Sequence, residues 1–116
     1  MSKTDAKLGR EIQKYLSEMN VESPIDFDRY DSTTADEKIQ LIEMNMRKSL
    51  EIMGFDLSND SVADTPKRIA KMWVKETMCG LDYDSFPKIM TFENKFQSSG
   101  MVVEKNVQSM SICSHH

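Results

Sequence analysis

The sequence has no long hydrophobic run, which excludes a conventional membrane-spanning helix. Charged residues interrupt every apolar stretch well before the roughly 18 to 20 residues that a bilayer crossing requires. Lys3, Asp5 and Lys7 also interrupt the start of the chain, where a signal peptide would carry a continuous apolar segment. We therefore expect a cytoplasmic protein with no membrane partner.

Cysteine is scarce, and the sequence has no glycine-rich phosphate-binding loop. Only Cys79 and Cys113 are present, and in a chain expected to be cytoplasmic they favour free thiols or a metal ligand over a disulfide. An excess of positive charge is missing too, since 19 acidic residues face 15 basic ones. This balance argues against a nucleic-acid partner.

The charge that is present is unevenly distributed. Residues 1–60 carry thirteen acidic and eight basic side chains, whereas residues 61–116 carry six and seven. Any site for an anion is therefore expected in the second half. The chain is 39% hydrophobic over 116 residues, enough apolar surface for one folded domain.

Hydrophobic periodicity predicts three helices in the first 80 residues. Residues 4–19 form an amphipathic pattern, and residues 20–32 follow as a linker or irregular arm. Thr34 and Glu37 have capping-box spacing and begin a second helix that Gly54 can end. A third helix is predicted from Asp64, with Pro66 in its first turn, to Met78.

The second and third helices each carry a feature with two possible explanations. Leu41, Met44 and Ile52 lie away from the main apolar stripe, either as ordinary exposed apolar residues or as a partner interface.

On the third helix, the predicted buried face holds Ile69, Met72 and Trp73. The opposite face is basic and could be solvated or could hold phosphate groups; it consists of Lys67, Arg68, Lys71 and Lys75.

After Gly80 the pattern changes from helices to a turn and then to short strands. The strands are predicted at residues 89–92, 101–104 and 107–112. The order of elements gives an α+β fold, with residues 1–31 as a helix and linker appended to residues 32–116.

The last four residues could contribute to a metal site. Cys113 and a histidine three residues on can both reach one zinc ion from a tight turn, and of His115 and His116 one would bind the metal while the other is free for proton transfer. One cysteine and one histidine form only half of a tetrahedral site, so a buried cysteine followed by the remnant of a purification tag is the alternative.

Three segments in this order resemble the N-terminal part of the GTP cyclohydrolase I family. They are DTPKRIAKM at residues 64–72, CGLDY at 79–83 and CSHH at 113–116, and the likeness extends over roughly residues 34–116. Ser114 stands where the family usually has glutamate. The resemblance implies a homodecameric enzyme of the tunnelling fold (T-fold), in which helices precede the first strands of an antiparallel sheet.

The resemblance also implies the reaction and the roles of individual residues. The family converts GTP and water into 7,8-dihydroneopterin triphosphate and formate, the entry to folate and pterin synthesis. Cys113 and His116 would be zinc ligands, with a second cysteine later in the family's chain as the third. His115 would be the catalytic acid and base, while Arg68 and Lys71 would bind the triphosphate of GTP held by a neighbouring subunit.

The expectation is therefore the N-terminal half of a zinc-dependent GTP cyclohydrolase I, without a complete active site of its own. Two alternatives belong to other classes. One is a noncatalytic helical module that binds a partner through Leu41, Met44 and Ile52. The other is a truncated regulatory subunit that joins full-length rings.

Overall fold

The computed structural model describes residues 2–113. These residues form four α-helices: α1 at Ala6–Glu18, α2 at Phe27–Asp31, α3 at Ala35–Ile52 and α4 at Thr65–Met72. A π-helical turn at Trp73–Thr77 and two 3-10 turns at Cys79–Leu81 and Tyr83–Ser85 follow α4. Within residues 2–113, no helix is both long enough and apolar enough to cross a membrane.

The first helix forms where the amphipathic pattern predicted it. The Asp5 carboxylate accepts a hydrogen bond from the Leu8 amide at 3.0 Å and so begins α1. The following segment, predicted to be irregular, contains the five-residue helix α2, which begins where Asp26 accepts from the Arg29 amide at 3.1 Å. Aspartate side chains therefore cap both α1 and α2. The second helix forms although its segment has little hydrophobic periodicity.

The boundaries of α3 are those that the sequence predicted. The Thr34 hydroxyl accepts from the Glu37 amide at 3.2 Å, and the helix ends just before Gly54. Gly54 has a φ of 91°, a left-handed conformation that side chains disfavour. Leu41, Met44 and Ile52 are exposed, as their position off the main stripe predicted.

The third predicted helix differs from expectation in its second half. Its α-helical part ends at Met72 rather than Met78, and the Met78 amide donates to the Trp73 carbonyl at 2.9 Å, five residues back. This wider turn shifts the side chains after Trp73 out of α-helical register. At the other end, Asp64 precedes the helix but makes no capping bond through its side chain.

The core lies where α4 packs against α3 and is built from small side chains. Pro66 and Ala70, four residues apart on α4, are fully buried, and Ile39 of α3 is buried against the same helix pair with 6% of its surface exposed. The prediction that Met72 and Trp73 form the buried face was wrong, because they are 41% and 39% exposed. Because Pro66 and Ala70 are small, α4 approaches α3 closely along the face that carries them. The larger side chains of Met72 and Trp73 lie at the margin of this contact.

The helical part of the α+β prediction is confirmed, whereas the predicted strands are not formed in residues 2–113. There the structure has a single isolated antiparallel bridge, between Thr4 and Pro87. Residues 88–113 are exposed throughout and have no helix or strand. A strand needs a partner for its backbone groups, and the described residues supply none to positions 89–112.

Candidate functional site

Helix α4 presents the two predicted phosphate-binding residues together. Arg68 and Lys71 are both exposed and lie three residues apart, which places them on one face of the helix. The ion pairs within residues 2–113 are formed by Arg10 and Lys14, so neither cation of this pair is neutralised there. The arrangement leaves two positive charges available to an anion.

Lys75 belongs to the π-helical turn that follows α4. It lines a groove of about 600 Å³. Neither Arg68 nor Lys71 contributes to that groove, whose walls come from α1, α2, the start of α3 and residues 74–85. Of the four cations on the predicted basic face, Lys75 is therefore the one that also borders this groove.

The predicted metal site is only partly within the described residues. Cys113 is exposed and has a free thiol, as does Cys79, so the two do not form a disulfide. His115 and His116 lie outside the described residues. Among residues 2–113, no three His, Cys, Asp or Glu side chains are grouped closely enough to hold a metal ion.

Sequence reasoning missed a charge cluster centred on Arg10. Its guanidinium donates to Asp84 through Nε at 2.7 Å and Nη2 at 2.9 Å, and to Asp31 through Nη1 at 2.8 Å and Nη2 at 3.0 Å. These bonds raise the pKa of Arg10, and its hydrogen bond holds the pKa of Asp84 below the usual carboxyl range. One side chain thereby joins α1, the end of α2 and the turn at Tyr83–Ser85.

A second contact attaches the same turn to the N-terminal segment. The Tyr83 hydroxyl donates to the Glu22 carboxylate, and the Tyr83 ring meets that of Phe27 edge-on at 5.7 Å between centroids. Burial, followed by this hydrogen bond, raises the pKa of Tyr83 to about 12. The Phe27 ring also packs edge-on against Tyr30, over which the Lys38 ammonium lies at 4.1 Å.

Gly9 was the residue in the sequence that could have indicated the packing of α1 against residues 83–86. Glycine inside a helix costs about 1 kcal/mol relative to alanine, so an interior glycine suggests a close backbone approach. A Cβ at Gly9 would lie 1.9 Å from the Tyr83 carbonyl oxygen. The glycine therefore marks where α1 contacts residues 83–86.

Comparison with known proteins relates the chain to one family. The sequence profile of GTP cyclohydrolase I matches residues 42–116, which include α4 and the Cys-Ser-His-His segment. The chain is 40% identical over 116 residues to GTP cyclohydrolase 1 of Shewanella denitrificans, covering 100% of this chain and 51% of the relative. It is 41% and 42% identical over 105 residues to the proteins of the same name from Tolumonas auensis and Vibrio cholerae.

Those two alignments each cover 90% of this chain and 47% of the relative. The chain thus spans about half the length of the curated relatives it matches. Because the family profile covers well over half of its residues, the chain belongs to the GTP cyclohydrolase I family.

Proposed function

We propose that this chain serves the GTP cyclohydrolase I reaction, the hydrolysis of GTP to 7,8-dihydroneopterin triphosphate and formate. The supporting observation is that one family match spans both the basic face of α4 and the Cys-Ser-His-His segment. Because the chain covers about half of its relatives, the remaining groups of the site come from elsewhere in the complete enzyme.

Arg68 and Lys71 bind the triphosphate of GTP. Both are exposed and without a carboxylate partner among the described residues, so an incoming phosphate displaces no ion pair. Arginine can hold two phosphate oxygens with a planar fork, whereas lysine acts as a point charge. The helix places these complementary groups side by side.

Cys113 and His116 are the proposed ligands of a zinc ion. The donor set fits, because thiolate and imidazole are preferred zinc ligands and the exposed Cys113 thiol is not consumed in a disulfide. Zinc bound there supplies Lewis acidity to the hydrolysis. His115 donates and accepts the proton at the guanine imidazole-ring nitrogen, since an imidazole titrates near neutral pH.

The proposed assembly is a cytoplasmic homodecamer with a T-fold sheet. Residues 1–31 form the leader and residues 32–116 the first half of the catalytic domain. The many exposed apolar side chains between residues 89 and 112 support this arrangement, because strands from the rest of the enzyme would cover them.

The test is an assay of the complete polypeptide that the gene encodes, incubated with GTP and zinc. Formate and a fluorescent pterin are the expected products. Cys113→Ala should lose zinc and turnover, whereas His115→Ala should retain zinc and lose turnover. A zinc-loaded protein that forms neither product would refute the function, and equal zinc retention by both variants would refute the ligand assignment.

A further inference from the structure

The antiparallel bridge between Thr4 and Pro87 is the centre of a short two-stranded ladder. Two backbone hydrogen bonds flank this pair: the Asp5 amide donates to the Phe86 carbonyl at 2.7 Å, and the Lys88 amide donates to the Lys3 carbonyl at 3.1 Å. Thr4 and Pro87 are therefore a non-hydrogen-bonded pair, whose own backbone groups point away from the partner strand. The outer edges of the ladder lie at Thr4 on one side and at Pro87 on the other.

The Ser2 hydroxyl closes the outer edge at Thr4. It donates to the Thr4 carbonyl at 3.2 Å and accepts from the Thr4 amide, also at 3.2 Å. A strand that approached this edge would have to pair with these two backbone groups, and both already have a partner within the chain. Ser2 thus occupies the place that another strand would take.

The opposite edge lacks a free backbone donor over residues 85–88. Pro87 has no N–H, and because its nitrogen is on the outer edge, the bonds to the other strand are unaffected. The Ser85 amide, next on the same edge, donates to the Asp82 carbonyl at 3.1 Å. The two remaining amides, those of Phe86 and Lys88, donate to the carbonyls of Tyr83 at 3.2 Å and Lys3 at 3.1 Å. A strand that approached residues 85–88 would find no backbone N–H to accept from.

Charge opposes extension of the ladder along its length. Lys3 and Lys88 lie opposite each other, one residue beyond the Thr4 pair, and both are exposed. Like charges in a cross-strand pair repel. Short edge strands, prolines and lysines are features by which proteins prevent strand pairing between molecules, and this ladder combines all three.

The next segment of the chain has a different character. Residues 89–112 are exposed and form neither helix nor strand, and they begin with the exposed apolar side chains of Ile89 and Met90. Backbone groups and apolar side chains are both accessible to another chain there. A ladder with closed edges therefore lies directly beside a segment that is open to pairing.

We propose that Ser2 and Pro87 close the edges of this ladder, so that a second copy of the chain cannot pair with residues 85–88 and strand pairing between copies starts only after Lys88. The proposal is independent of the GTP cyclohydrolase reaction, because neither residue is among the groups proposed to bind GTP or zinc. It concerns which backbone groups one copy offers to another.

The test removes both edge closures from the complete gene product. Ser2→Ala frees the Thr4 backbone, and Pro87→Val supplies an N–H on the other edge together with a side chain that favours strands. The double variant should associate beyond the wild-type assembly with a constant about tenfold higher, because each contact gains about two backbone hydrogen bonds. Sedimentation equilibrium measures this constant. The amide introduced at position 87 should become protected from hydrogen exchange in the associated species.

The matched control is the double variant Ser58→Ala with Pro24→Val, which makes the same chemical changes at exposed positions outside the ladder. It should leave the association constant unchanged. Exchange of the Lys88 amide reports whether the ladder itself is intact, because this amide donates to Lys3 across it. It should be as slow in the Ser2→Ala, Pro87→Val protein as in the wild type.

An association constant that does not rise in the ladder variant would overturn the proposal, and so would an equal rise in the control. If exchange of Lys88 accelerates, the ladder has opened, and Ser2→Ala alone decides. That variant retains Pro87 and should raise the association constant by about threefold with unchanged exchange of Lys88, since it frees one edge only. No rise in that variant would refute the closure of the edge by Ser2.

Discussion

At the scale of single residues, the least predictable features are the contacts between distant parts of the chain. Arg10 and Asp84 are 74 positions apart, and no local periodicity relates them. The placement of Arg68 and Lys71 on one face of α4, in contrast, follows from helical spacing alone, because residues three apart share a face. The sequence could thus identify the local cation pair, although it could not identify the partners of Arg10.

Replacement of Gly9 by alanine should destabilise the protein. The added Cβ would meet the Tyr83 carbonyl oxygen at 1.9 Å and the Phe86 Cβ at 2.7 Å, so α1 would have to move away from residues 83–86. We expect a loss of about 1 to 3 kcal/mol in the free energy of unfolding by urea, the usual cost of overpacking.

The direction of the change tests the close approach. At a helix position with free space around it, replacement of glycine by alanine raises the free energy of unfolding by about 1 kcal/mol. Gly80→Ala is the control, since no atom lies within 4 Å of its added Cβ. Stabilisation by Gly9→Ala would contradict the close approach.

The Tyr83 phenol should titrate at unusually high pH. Its pKa of about 12 in the folded protein exceeds the usual value near 10, so the neutral form is stabilised by folding. This contribution is complete below pH of about 10 and is lost as the pH rises toward 12.

A tyrosinate absorbance titration checks this assignment. Tyr83→Phe should remove the ionisation near pH 12, and Glu22→Ala should move it toward the usual range, because the second contributor to the shift is the hydrogen bond to Glu22. Tyr15→Phe serves as the control. If Tyr83→Phe removes a phenol that titrates normally, the contact with Glu22 does not form in solution.

At the scale of elements, helix starts are better predicted than helix continuity. The Thr34 cap depends on residues within three positions, so the sequence displays it directly, whereas Asp64, predicted as a cap by the same rule, makes no capping bond through its side chain. The π-helical turn at Trp73–Thr77 changes the hydrogen-bond register without any proline or glycine to signal it. For that reason the end of the α-helical part of α4 at Met72, rather than at Met78, was not predictable.

Removing the α3 cap should destabilise the helix pair. Thr34→Ala loses the acceptor of the Glu37 amide and should cost about 1 kcal/mol, measured as a lower midpoint of thermal unfolding followed by circular dichroism. Thr33→Ala is the matched control, because Thr33 contacts Lys38 through its backbone carbonyl at 2.6 Å. Equal effects of the two substitutions would show that the Thr34 hydroxyl does not cap α3.

At the scale of the whole molecule, the chain is extended and has a small core. Its radius of gyration is 19.8 Å, against about 13 Å for a compact domain of this length. Apolar side chains on residues 89–112 remain exposed, including Phe92 at 89% and Phe96 at 96%. The local residue pattern predicted strands there, but strand pairing requires partners that the described residues do not provide.

Such a surface should make the 116-residue chain associate. Exposed contiguous apolar groups mark interaction surfaces, and burying one phenylalanine is worth about 1.5 to 3 kcal/mol. We therefore expect the mass from sedimentation equilibrium to rise above 13.4 kDa as concentration increases. Phe92→Ser and Phe96→Ser should each weaken the association constant by about tenfold or more. Tyr15→Ser is the control, because it alters an exposed ring on α1 and should leave the association constant unchanged. A mass that stays at 13.4 kDa at every concentration would mean that residues 89–112 do not drive assembly.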